Sequence, residues 1–275
     1  MHPFHDALVS FAERREIYMN YLKDTLYLTE SNTTLDTNGN PLLPGFSSGV
    51  LYITDSPIIA QSLLDAGYPV AAHSHEGNKS VCFPHVRYIL ENIEEIEDDD
   101  LEHIHRRVAG LPCDILHTER LYIRETTVED VEDLINLYSD PSITRYMENL
   151  FPPEEEKEYQ RMYIDNIYGL YDIGIWSVIN TADNTLIGRM GIEYKDEPSC
   201  VELGFMLGTR YQHLGYAYEA CQAIIDYAFT LPEIKAVTAK VHKNNASSIK
   251  LCQKLGMYQK ETSQDIDILT YIIYK

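Results

Sequence analysis

An apolar run at residues 201–208 passes through a short polar loop into a stretch whose apolar positions Ala220, Ile224, Ala228 and Phe229 recur at helical spacing. The first reads as a strand and the second as a helix, so the chain turns from strand to helix across Gln212-His213-Leu214-Gly215-Tyr216-Ala217. A helix start exposes unpaired N–H groups at the positive end of its dipole, and small residues there let an anion reach them. Gly215 and Ala217 supply that room, and a diphosphate would fit. An ordinary tight turn between a strand and a helix explains the same spacing, so the loop alone leaves both readings open.

A second segment narrows the choice. Residues 241–248 end a strand and supply a polar cap, and residues 249–257 form a short helix closed by Gly256. Together the two segments resemble the cofactor-binding core of the GNAT N-acetyltransferases, in particular the ribosomal-protein N-terminal acetyltransferases of the RimJ and RimL kind. That family's Gln/Arg-x-x-Gly-x-Gly/Ala pattern stands here as Gln212, Gly215 and Ala217. Its Asn-x-x-Ser pattern stands as Asn245 and Ser248, and its Lys-Leu-Gly-Phe pattern as Lys254, Leu255 and Gly256, with Met257 in place of Phe. The resemblance covers about residues 118–275 and implies a GNAT fold, α/β with a mixed sheet, over 116–275. It implies acetyl-CoA as co-substrate and no metal. By the same resemblance, the backbone of Phe205, Met206 and Leu207 holds the pantetheine arm, and Asn245 and Ser248 lie along it. The amides of His213, Leu214, Gly215, Tyr216, Ala217 and Tyr218 take the diphosphate, and Gln212 shapes their loop. Arg210, Lys243, Lys250 and Lys254 are cations near enough in sequence to offset the cofactor's charge.

Acetyl transfer to an amine needs a held thioester, a neutral amine and donors for the oxyanion. An alkyl ammonium with a pKa of about 10 must first lose a proton, so a carboxylate, or a water chain leading to one, is the expected base. Glu202, just ahead of Leu203-Gly204-Phe205, is the candidate; its competing reading is a carboxylate paired with a neighbouring cation. Tyr146, Glu148 and Glu193 are alternatives on the substrate side. Many relatives place a tyrosine seven residues after the asparagine to protonate the leaving thiolate. Here that position is Cys252, which core packing also explains, and the coenzyme thiolate can leave without a dedicated acid. The acceptor is a protein N-terminus, a lysine or a small amine, met by the variable stretch at 142–171. An alternative of another class is an acyl-CoA-binding regulatory module that has lost turnover.

The whole chain limits the partners. With 22 Lys and Arg against 43 Asp and Glu, its formal net charge of -21 argues against nucleic acid and anionic membranes and suits a cationic acceptor. The 5 cysteines form no C-x-x-C pair, which fits reduced thiols. No apolar run approaches the ~18 residues that would span a bilayer, and the N-terminus lacks a basic-then-apolar signal. A cytoplasmic protein is expected.

Ahead of the acetyltransferase-like region, residues 1–47 read as a helix over about 5–23 and a loop or hairpin over 29–49. Residues 48–115 read as a small Rossmann-like α/β module. Its strand, Ser56-Pro57 helix start, Gly67 stop and second strand at 69–72 outline a parallel β-α-β unit. Asp55 at the strand end faintly resembles the nucleophile of haloacid-dehalogenase-like enzymes, although Pro57 occupies the partner aspartate's place. His73, His75 and Glu76 invite a metal but lack a further ligand at diagnostic spacing. A strand is expected within 86–96, and a helix at 101–109 started by Asp98, Asp99 and Asp100. Thr127 and Asp130 match a capping box for a helix running to Tyr138.

Overall fold

The computed structural model describes residues 25–28, 49–195, 197–260 and 266–275. The helix expected at 5–23 and the loop at 29–48 lie outside them. The chain divides into two compact units, Met1–Cys113 and Asp114–Lys275.

In the first unit, β1 (Thr25–Leu28), β2 (Leu51–Thr54), helix α1 (Pro57–Asp65), β3 (Val70–His73), β4 (Ile89–Leu90) and helix α2 (Asp98–Ala109) follow in order. The strands pair in parallel as β1-β2-β3-β4. β2 is buried throughout, as parallel strands covered on both faces must be. Tyr52 packs with Ile59 and Leu63 of α1, while Leu51 and Ile53 pack with Leu101 and Ile104 of α2. The β-α-β outline and the acidic start of α2 match expectation, and Gly110 closes α2 at φ 68. Two readings need correction. The strand expected within 86–96 is only the two residues of β4, where Ile89 is 52% exposed and pairing reaches no further than His73↔Leu90. β1, between the expected helix and loop, was not foreseen.

The second unit opens with β5 (Asp114–His117), β6 (Leu121–Arg124), α3 (Val131–Tyr138), α4 (Pro141–Thr144) and α5 (Pro153–Tyr163). A π-helical turn (Ile164–Tyr168), the short α6 (Gly169–Tyr171), β7 (Ile175–Asn180), β8 (Thr185–Tyr194) and β9 (Cys200–Leu207) follow. Then come α7 (Tyr216–Thr230), β10 (Ala236–His242), α8 (Ala246–Lys254), β11 (Tyr258–Gln259) and β12 (Ile268–Tyr274). The 8-stranded sheet runs β11-β12-β10-β9-β8-β7-β6-β5, antiparallel at every pair except β9 and β10. Trp176, Met190, Ile192 and Leu203 of its strands share a buried core with Ile224, Ile225 and Cys252.

β5 was not foreseen; it forms a hairpin with β6 that carries a register shift. The capping box forms only in part. Asp130 accepts from the Thr127 amide at 2.8 Å, but its carboxylate also accepts from Arg124 Nη1 and Nη2, at 2.6 and 2.8 Å, and from the Ser177 hydroxyl at 3.0 Å. α3 therefore begins at Val131, with no side-chain cap. The π turn has a clear role. Residues five apart diverge in an α-helix at about 100° per residue, yet Tyr163 accepts from the Ile175 amide at 2.9 Å while Tyr168 donates to the Ile175 carbonyl. The wider turn brings both tyrosines onto the start of β7.

Candidate active site

The one parallel pair in this sheet is incomplete. β9 and β10 are in register only at Cys200↔Ala236, Val201↔Val237 and Glu202↔Thr238. Beyond that, β9 continues against β8 through Met190↔Phe205, Arg189↔Met206 and Gly188↔Leu207. β10 continues against β12 as far as His242↔Ile268. The two arms part and enclose a cavity of about 680 Å³, within the range of about 300–1,000 Å³ common for small-molecule sites. Residues 202–207 form one wall and Lys240, Val241 and His242 another, with Tyr146 and its neighbours after α4 beside them. A strand offers alternate N–H and C=O groups to each neighbour, and groups left without a partner are costly to bury. An extended arm carrying amides suits the edge of residues 203–207.

The loop at the mouth is held in shape by its own residues. Gln212 Nε2 donates to the Leu207 carbonyl at 3.0 Å, tying the loop back to β9. His213 at φ 61 and Gly215 at φ 90 are left-handed, a conformation that glycine adopts freely and histidine rarely. Gly215 caps α7 without any side-chain hydrogen bond, so the first amides of that helix keep the positive dipole end accessible. Gln212, His213, Gly215, Ala217 and Tyr218 all line the cavity; Leu214 and Tyr216 do not. Lys250 and Lys254 line it too, with the Lys254 ammonium 4.1 Å from the Tyr218 ring centroid. Asn245 caps α8, its side chain accepting from the Ser248 amide at 3.2 Å, and both residues face the same cavity. These small-residue, oxygen- and cation-bearing surfaces fit the arm and the phosphates of a coenzyme A thioester.

Glu202 lies where β9 and β10 separate, 21% exposed and lining the cavity. Its carboxylate pairs with Lys240 at 2.8 Å, so both readings of this residue meet in one place. Across the strand pair it faces Glu193, which accepts from Tyr163 at 2.6 Å and from Lys195 at 2.7 Å. Burial, then the charge of Glu193, pushes the Tyr163 hydroxyl far above its usual range and keeps it a donor. Tyr146 lines the cavity, stacks on His242 at 5.0 Å and donates to the Asn244 carbonyl at 3.1 Å. Glu148 is exposed and outside the lining. Cys252 is buried in the core, where burial pushes its thiol up to about 12, and it does not reach the cavity. Sequence reasoning missed Lys240 and His242, and it missed the contacts of Thr118 and Arg120 with Glu219. Thr118 and Arg120 stand in what reads simply as the lead into a strand.

The reactive residue types of the first unit are arranged differently. Tyr27 and His73 share a 2.6 Å hydrogen bond, and His75 Nε2 lies 3.5 Å from Asp55. The Asn78 side chain accepts from the His75 amide at 2.7 Å and donates to the His73 carbonyl at 2.9 Å. Glu76 turns to Lys79. Among the described residues, no group of three or more His, Cys, Asp or Glu is arranged to hold a metal ion. None of the described helices is long and apolar enough to cross a membrane.

The sequence model of the acetyltransferase (GNAT) domain matches residues 120–258, half of the chain and wholly within the second unit. This chain belongs to the GNAT acetyltransferase family. It is an N-acetyltransferase by that membership, and the GNAT fold binds acetyl-CoA. The uncharacterized N-acetyltransferase p20 of Bacillus licheniformis is 33% identical over 175 residues, covering 58% of this chain and 96% of that protein. Among solved structures, RimL, a ribosomal L7/L12 alpha-N-protein acetyltransferase, is 13% identical with a TM-score of 0.51, over 60% of this chain and 96% of its own. Spermidine N-acetyltransferase from Vibrio cholerae, in complex with CoA and spermine, is 17% identical with a TM-score of 0.50, over 57% and 96%. At these identities the structural likeness speaks for the GNAT fold. The family resemblance read from the motifs holds, as does the α/β class with a mixed sheet.

Proposed function

We propose that the second unit transfers the acetyl group of acetyl-CoA to a primary amine by direct attack, with both substrates bound at the parted strands. The observation that carries this reading is the end of β9–β10 pairing at Glu202 and Thr238, beside a mouth built from left-handed backbone and a helix start with no side-chain cap. When bound, acetyl-CoA supplies an activated acetyl thioester. The amides of His213, Gly215, Ala217 and Tyr218, the residues of this stretch that line the cavity, hold the diphosphate, the edge of Phe205, Met206 and Leu207 pairs with the pantetheine, and Asn245 and Ser248 flank the arm. A backbone N–H of β9 beside the reacting carbonyl donates a hydrogen bond to the developing oxyanion. Glu202 takes the proton of the incoming ammonium, directly or through a water, after its contact with Lys240 loosens. No dedicated acid is needed: Cys252 is in the core, and a thiolate with a pKa of about 8.5 leaves and is protonated by solvent.

The acceptor is a cationic amine. Glu193 and Glu202 stand opposite each other across the strand pair, the chain as a whole is strongly acidic, and one structural neighbour was solved with spermine. Protein N-termini, lysine side chains and small amines all meet this description. The ion pair on Glu202 and the burial of Cys252 favour a second reading, an acyl-CoA-binding module with little turnover. Release of free thiol from acetyl-CoA across a panel of amines separates the two: amine-dependent thiol supports transfer, and CoA binding without thiol release supports the binding module.

A further inference from the structure

We propose that Arg120 is a positioning residue for the acetyl donor: it clamps the 212–217 loop to the first turn of α7, so that the loop's amides face the diphosphate. This rests on the cofactor reading above and adds a residue to it. Arg120 lies just ahead of β6, in a part of the sequence that carries no cofactor motif. Its Nε donates to Glu219 Oε2 at 2.7 Å, and its Nη2 lies 2.6 Å from the same oxygen. Its backbone amide donates to Glu219 Oε1 at 3.0 Å, where the Thr118 hydroxyl also donates at 2.6 Å. Nη1 reaches further and donates to the Leu214 carbonyl at 3.1 Å. The guanidinium also sits 4.3 Å from the centroid of the Tyr216 ring.

The bond to Leu214 sets the loop. A peptide unit is planar and trans, so its C=O and the following N–H point in opposite directions. Holding the Leu214 carbonyl toward Arg120 turns the Gly215 N–H to the other side, and Gly215 lines the cavity. The site of Gly215 is itself fitted to the clamp, since a Cβ there would lie 3.3 Å from Arg120 Nη2. Charge gives the same assignment. Glu219 complements the dipole of α7 but would repel a diphosphate at the same helix start, and the guanidinium cancels that repulsion. Burial opposes the charge on Glu219, yet the Thr118 hydroxyl and the Arg120 amide and guanidinium outweigh it and hold the carboxyl below its usual range.

The experiment compares two acetyl donors, acetyl-CoA and S-acetylpantetheine, which carries the arm and the thioester but no diphosphate. In Arg120→Ala, KM for acetyl-CoA is expected to rise about tenfold to hundredfold, with kcat and the amine KM within about twofold. The ratio of kcat/KM for acetyl-CoA to that for S-acetylpantetheine should fall by the same factor. Arg120→Lys keeps the charge but loses the planar fork, so it should recover only part of the loss. Should Arg120→Ala fail to fold, Arg120→Lys and Glu219→Gln carry the same comparison. A donor ratio equal to that of the wild type, in any variant with an intact melting transition, overturns the clamp, as does an equal loss with both donors. Wild-type protein that binds no CoA overturns the proposed function and this inference with it. Wild-type protein that binds CoA while the variants keep its donor ratio overturns the inference alone.

Discussion

The C-terminal ends of β1–β3 and the open end of the β9–β10 pair are both places where strands stop, and they are built in opposite ways. At the first, chemically versatile side chains gather: Tyr27 meets His73, His75 meets Asp55, and the Asn78 side chain bonds the backbone of His73 and His75 and donates to the Asp55 carbonyl at 3.4 Å. Each is used by another. At the second, the wall is made of Leu203, Gly204, Phe205, Met206 and Leu207, residues with almost no chemistry of their own, on a strand that has lost one neighbour. A site for an amide-bearing arm is marked by the backbone left open, not by the side-chain types collected nearby.

Four substitutions break or sharpen that contrast. The largest effect is expected from Glu202→Gln, at the carboxylate that lines the cavity where the strands part. Loss of a general base lowers kcat by about 100-fold to 10,000-fold, with little change in KM for acetyl-CoA; steady-state kinetics with full activity would reduce Glu202 to the partner of Lys240. Next, Ala217→Asp sets a carboxylate against the diphosphate. Like charges in contact cost several kcal/mol, so acetyl-CoA affinity measured by calorimetry should fall by about 100-fold or more, and unchanged affinity would move the phosphate site elsewhere.

Tyr27→Phe acts on the other side of the contrast. It strips His73, itself buried, of a hydrogen-bond partner, at a cost of about 1–3 kcal/mol. Urea unfolding of the first unit should register this loss while the transferase kinetics stay as they were. Altered kinetics would mean that this cluster takes part in the reaction. The smallest effect belongs to Cys252→Ala, expected to change kcat by less than about twofold. With its thiol pushed up to about 12, Cys252 stays protonated, and in the folded protein at about pH 8 it should resist a thiol reagent that labels the exposed Cys82. A large drop in kcat would restore it as the acid.

What was legible in the sequence was local. The strand-to-helix turn at Gly215, the β-α-β unit around Pro57 and the acidic first turn of α2 each depend on neighbours within a few residues. Gln212 bends back to Leu207, five residues away. What escaped was set by distant partners. Asp130 looks like half of a capping box until Arg124 and Ser177 claim its oxygens. Arg120 is separated from Glu219 by 99 positions, so no local pattern joins them. The parting of β9 from β10 is a matter of pairing between strands, and neither strand alone declares it.

Amide hydrogen exchange with and without saturating CoA tests the parted strands most directly. Slower exchange at 203–207 and at 213–218, with the strands of the first unit unaffected, is the predicted result. Unaltered exchange at both segments in millimolar CoA would contradict it.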